Sequence, residues 1–81
     1  MIDTPMAIAV PTVIAEVLGL DTVDATADLR NDLGIDSLTG TYIVAKLRTE
    51  FGLRVPLPTL LDSATVADFS ATVGALAGDT A

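Results

Sequence analysis

Apolar side chains recur at positions 6, 10, 13, 14, 17 and 18 (Met6, Val10, Val13, Ile14, Val17 and Leu18), in steps of three and four. That spacing predicts a first helix with one apolar face. Thr4 and Pro5 suit its start, a capping hydroxyl followed by proline at the first helical position. Gly19 suits its end. Pro11 disturbs the pattern, because inside a helix it deprives the carbonyl of Ala7 of its donor and costs about 3 kcal/mol. Either the helix kinks at Pro11 or its regular part begins there. A second helix is predicted over residues 37–51, with Asp36 or Ser37 at its cap and Gly52 beyond its end. Leu38, Ile43, Val44, Leu47 and Phe51 supply most of its apolar surface. Gly40, Thr39, Thr41, Ile43 and Val44 are poor helix formers, so packing must hold this helix. The run "LRVPLP" is too rich in proline for a regular element, and Pro58 can open a short helix through Leu61. Thr65 begins the last helix, and Asp68 three positions on resembles a capping box. Val66, Phe69, Val73 and Leu76 form its expected buried stripe.

Between the first two helices, "LDTVDATADLRNDLGID" is polar and acidic, with Val23, Leu29, Leu33 and Ile35 irregularly spaced. This predicts a long ordered loop pinned by apolar anchors, with one helical turn around 29–33. Loops of this length in a small domain are usually either functional or disordered. The predicted fold is therefore all-α, a small bundle of three main helices plus one short one. Leu33, Leu47, Phe51, Val66 and Phe69 are expected in its core. Residues 5–77 form the domain, with 1–4 and 78–81 as short tails.

Composition narrows the chemistry. The 81 residues make one domain whose core must come from aliphatic side chains, because Tyr42, Phe51 and Phe69 are the only aromatics. The chain has no cysteine and no histidine, so it lacks disulfides, thiolate ligands and the usual general base. Its net charge of -7 repels nucleic acid and anionic membranes and favours basic protein partners. Asp3, Pro5 and Pro11 spoil the apolar N-terminal run as a signal peptide or membrane span, so a cytoplasmic protein is expected. The position that invites a functional reading is Ser37, set between Asp36 and Leu38 where the loop meets the second helix. Most serines at such places only cap. A serine hydrolase would need a base beside Ser37, and Lys46 is about 13 Å away along the same helix.

The stretch "DLGIDSL" resembles the attachment motif of acyl carrier proteins and the related peptidyl carrier proteins. The likeness covers nearly the whole chain: "VIAEVLGL" resembles the family's first helix, "DLRNDLGIDSL" its loop and modification site, "KLRTEFGLRVP" the second helix and its exit, and "LLDSATVADF" the third helix and the start of the fourth. The resemblance implies that a Mg-dependent phosphopantetheinyl transferase attaches 4'-phosphopantetheine from coenzyme A to Ser37. Intermediates then ride as thioesters on the arm's thiol. The group brings the sulfur that the chain lacks, and partner enzymes bring the bases. By the same resemblance Asp36 assists the transferase and its metal, a role compatible with a plain helix cap. Leu38 is either an exposed contact for partners or part of the core.

The second helix departs from carriers of fatty acid synthesis, which usually present several carboxylates there. From Ser37 to Thr49 this chain has none, and Thr41, Tyr42, Ala45, Arg48 and Thr49 form the expected partner strip. Lys46 and Arg48 read individually as parts of a mixed solvated face. "GLRVPLPTLLDSATV" and "DSLT" resemble carriers of polyketide assembly lines. "LRTEFG" resembles peptidyl carriers, although Ile35 stands where that group more often has glycine. The implied protein is a free-standing monomeric carrier, served by the transferase, an acyl- or aminoacyl-loading enzyme and downstream synthases, without nucleic acid or membrane. A helical adaptor of similar size is the rival that composition alone leaves open.

Overall fold

The computed structural model describes residues 5–78. It is all-α, with α1 at Met6–Leu18, α2 at Ser37–Phe51, α3 at Leu57–Asp62 and α4 at Val66–Leu76. Three main helices and a short one are therefore present, with the long loop between α1 and α2. Thr4 lies outside the described residues. Pro5 is the N-cap of α1 rather than its first helical residue, and its carbonyl accepts from Ile8 and Ala9 at 2.9 Å. The helix does not begin at Pro11 but runs past it. Ala7, whose carbonyl Pro11 cannot serve, is exposed, so water can supply the missing donor.

The ends of α1 and α2 and the start of α4 follow their sequence signals. Gly19 and Gly52 close α1 and α2 in the left-handed conformation that glycine adopts freely. Thr65 and Asp68 form the reciprocal capping box of α4. The short helix begins at Leu57, one residue before Pro58, which occupies its first turn.

α1 packs against α4 and α2, and α3 packs on α2. Val10, Val13, Ile14, Leu29, Ile43, Leu47, Leu60, Val66, Phe69 and Val73 meet at the centre, each at most 1% exposed. Of the expected core, Leu47, Val66 and Phe69 are there. Leu33 and Phe51 are only half-buried, packed on the periphery from the loop turn and from the last residue of α2. Leu76 is a second correction, being 55% exposed. The buried stripe of α4 turns instead through Ser70 and Gly74, small residues beside Met6 and Pro11 of α1. Ser70 tolerates burial because its hydroxyl donates to the carbonyl of Val66 at 2.8 Å.

Gly40, a poor helix former, has a packing reason. A Cβ there would meet the Leu57 and Leu60 methyls at 2.9 and 3.0 Å, so glycine lets α3 lie directly on α2. A Gly40→Val variant should lose about 1–3 kcal/mol to overpacking. Its urea midpoint should fall accordingly. An unchanged midpoint would mean that α3 does not seat there.

The loop is held by its own carboxylates and by α3–α4. The expected turn forms, with the N–H groups of Asp32 and Leu33 donating to the carbonyl of Asp28 and that of Gly34 to Arg30. The Asp28 carboxylate accepts from the N–H groups of Arg30 and Asn31, and that of Asp32 from the N–H of Asp28. Leu29 donates to Ala64 and Val66 to Ala27 across the fold. Arg30 reaches the carbonyl of Leu61 at 2.7 Å. The loop is thus a rigid approach to Ser37.

Candidate functional site

The chain leaves the loop with Ile35 buried and the next three residues exposed. Ile35 is 4% exposed, and its N–H donates to Leu29 at 2.9 Å, fixing the chain two residues before Ser37. Gly34, at φ 66, makes the turn that aims Ile35 inward. Asp36, Ser37 and Leu38 then all face solvent.

Asp36, not Ser37, is the N-cap of α2. Its backbone is extended, and its carboxylate accepts from the N–H of Thr39 at 2.9 Å. Hydrogen bonding to the Thr39 N–H holds this carboxyl below its ordinary value of 3.8, so it is ionised at neutral pH. Because Asp36 supplies the cap, the hydroxyl of Ser37 is released from that task. Among the described residues that hydroxyl has no hydrogen-bond partner, while the Ser37 carbonyl accepts from the Thr41 hydroxyl at 2.7 Å. The result is an exposed hydroxyl on the first residue of a helix, beside a fixed negative charge.

Leu38 is 66% exposed, which leaves it outside the core. Thr41, Tyr42, Ala45, Arg48 and Thr49 are exposed along α2, as the strip requires. Lys46 is separate from them. Its ammonium lies 2.7 Å from Glu50 and 3.8 Å from Glu16, tying α2 to α1. The Glu50 hydrogen bond raises its pKa, the opposite of what a general base needs. A Ser-Lys catalytic pair is therefore unsupported by both distance and charge.

One part of the surface escaped the sequence pattern. A shallow groove of about 400 Å³ runs between α2 and the strand of chain leading to α3, lined by Thr41, Val44, Ala45, Arg48, Arg54, Val55 and Pro56. The α2 residues were legible from helical spacing. Arg54 and Pro56 were not, because only the return of the chain after Gly52 sets them opposite α2.

The family model described as "Phosphopantetheine attachment site" matches residues 9–73. The chain belongs to the phosphopantetheine-binding carrier family, whose members bear a 4'-phosphopantetheine prosthetic group and act as carriers rather than catalysts. The exposed hydroxyl and the absence of any cysteine fit that group, which supplies a thiol for thioester formation when bound. Carriers of this kind engage a phosphopantetheinyl transferase and loading or processing enzymes.

Solved structures agree. The chain is 35% identical to a domain described as a "Non Ribosomal PCP domain", covering 88% of this chain and 90% of that one with a TM-score of 0.71. It is 26% identical to BlmI of Streptomyces verticillus, a type-II acyl carrier protein involved in bleomycin biosynthesis, over 86% and 83% of the two chains, with a TM-score of 0.76. It is also 32% identical to part of the nonribosomal peptide synthetase FmoA3 in its AMPPNP-bound form, with a TM-score of 0.75 over 85% of this chain. There it spans only 7% of the larger protein. A comparison with curated proteins gives no match. Among the described residues, no helix is long and apolar enough to cross a membrane.

Proposed function

We propose that Ser37 bears the phosphopantetheine arm and that the chain presents thioester-bound acyl intermediates to enzymes of a polyketide or related secondary-metabolite pathway. The observation that carries the attachment site is the exposed hydroxyl of Ser37 at the start of α2, without a hydrogen-bond partner among the described residues and capped from outside by Asp36. In the transfer, Ser37 Oγ forms a bond to the β-phosphorus of coenzyme A. The pyrophosphate P–O bond breaks, adenosine 3',5'-bisphosphate leaves, and the hydroxyl proton passes to the transferase or solvent. A phosphodiester on Ser37 would stand at the positive end of the α2 dipole. The ionised Asp36 is placed to assist the transferase's Mg²⁺.

For the cargo, Ile35 favours the acyl reading, since it is buried where peptidyl carriers more often have glycine. The 35% and 32% identities with nonribosomal carriers favour an aminoacyl group instead. Intact mass separates the two. The holo protein is offered to acyltransferases with malonyl-coenzyme A, and separately to adenylating enzymes with ATP and amino acids. Acyl loading is expected. Aminoacyl loading without acyl loading would replace the first reading by the second.

Leu38, Thr41, Tyr42, Ala45 and Arg48 form the proposed partner face. Without carboxylates on this strip, docking rests on apolar and hydrogen-bonding contacts. The carboxylates of Asp28 and Asp32 are engaged in the loop and contribute mainly to encounter rates. With a Debye length near 10 Å at 0.1 M salt, affinity for the loading enzyme should fall only modestly from low to high salt. Tyr42→Ala should weaken it about tenfold, in the range of an interface aromatic worth more than 1 kcal/mol. A steep salt dependence with no effect of Tyr42→Ala would return the chain to acidic docking.

A further inference from the structure

Four basic side chains face eleven acidic ones in this protein. Arg30 is engaged by the carbonyl of Leu61, and Lys46 by Glu50 and Glu16. Arg48 and Arg54 have no ion-pair partner among the described residues, and both line the groove beside α2. The two uncommitted cations of an acidic chain therefore share one site.

The groove is also placed in line with Ser37. Residues 37, 41, 44 and 48 are spaced by four, three and four positions, which puts them on one face of α2. Thr41, Val44 and Arg48 belong to the groove, with Ala45, Val55 and Pro56 adding apolar or small surface. Arg48 lies about 16 Å along the axis from Ser37 at 1.5 Å per residue. An arm of about fourteen bonds spans roughly 18 Å, since three bonds of extended chain cover 3.80 Å.

We propose that Arg48 and Arg54 receive the free carboxylate of a dicarboxylic acyl group, such as malonyl or succinyl, carried at Ser37. This rests on the attachment reading above. Two guanidinium forks match one carboxylate. Single exposed ion pairs are weak, but tethering at Ser37 raises the local concentration of the carboxylate to the millimolar order. An uncharged acyl group of equal length gains nothing from the pair.

The test uses succinyl- and butyryl-coenzyme A, whose four-carbon chains differ in ending with a carboxylate or a methyl. A broad-specificity phosphopantetheinyl transferase with Mg²⁺ places each acyl arm on the apo protein, and intact mass reports attachment. The side-chain Nε–H signals of Arg48 and Arg54 should shift in the succinyl form and not in the butyryl form, and the shift should collapse in high salt. The succinyl thioester should hydrolyse about two- to fivefold faster in an Arg48→Gln/Arg54→Gln double variant than in the parent, the scale of one exposed ion pair. The butyryl thioester should hydrolyse alike in both. Equal arginine shifts from the two cargoes, or none from either, overturn the inference while leaving attachment intact. Absence of any mass gain overturns the attachment reading first, and the inference falls with it.

Discussion

A Ser37→Ala protein should gain no phosphopantetheine when incubated with coenzyme A and a broad-specificity transferase, while the parent should convert fully. The loss is complete because no other hydroxyl stands exposed at the mouth of the anchored loop beside Asp36. Folding should be unaffected. The Ser37 side chain is exposed and the cap belongs to Asp36, so the stability change should stay within about 0.5 kcal/mol. Intact mass and a thermal melt measure the two halves separately. Mass gain in the variant would place the attachment elsewhere.

Phe69→Ala should be the most damaging single truncation. Phe69 is the largest fully buried side chain and joins α4 to the shared core. Such truncations cost about 3–5 kcal/mol, against a total stability commonly near 5–15 kcal/mol. Urea denaturation should show a midpoint far below the parent's. A midpoint within error of the parent would mean that α4 is not the wall drawn here. The half-buried Phe51 should cost less, which makes the pair a check on the burial pattern itself.

Those two phenylalanines show where sequence pattern succeeds, at Phe69, and where it stops, at Phe51. Helical spacing placed both on apolar faces, but spacing says nothing of how far along a helix the neighbouring element extends. Phe51 lies in the last turn of α2 and Leu76 at the end of α4, and both protrude beyond full cover. The caps at Gly52 and Thr65 were legible because capping is local chemistry, and that of α2 was narrowed to Asp36 or Ser37. The place of Ser37 at the start of α2 was legible in the same way. The groove was not, since only the turn after Gly52 sets Arg54 opposite α2. Lys46 illustrates the same limit: its tie to Glu50 follows from a four-residue step, whereas its contact with Glu16 needs α1 to arrive.

The bonds that fasten the loop to the α3–α4 junction have a consequence for the order of events in the cell. Leu29 with Ala64, Ala27 with Val66 and Ala25 with Ala67 pair positions thirty-five or more residues apart. Contacts so distant in sequence form late, after the closure entropy of the intervening chain has been met. On a ribosome, α1 and α2 can emerge with Ser37 between them while the approach to that serine still lacks its far wall. Ser37 sits in the first half of the chain, yet its setting is completed only when the start of α4 has been synthesised.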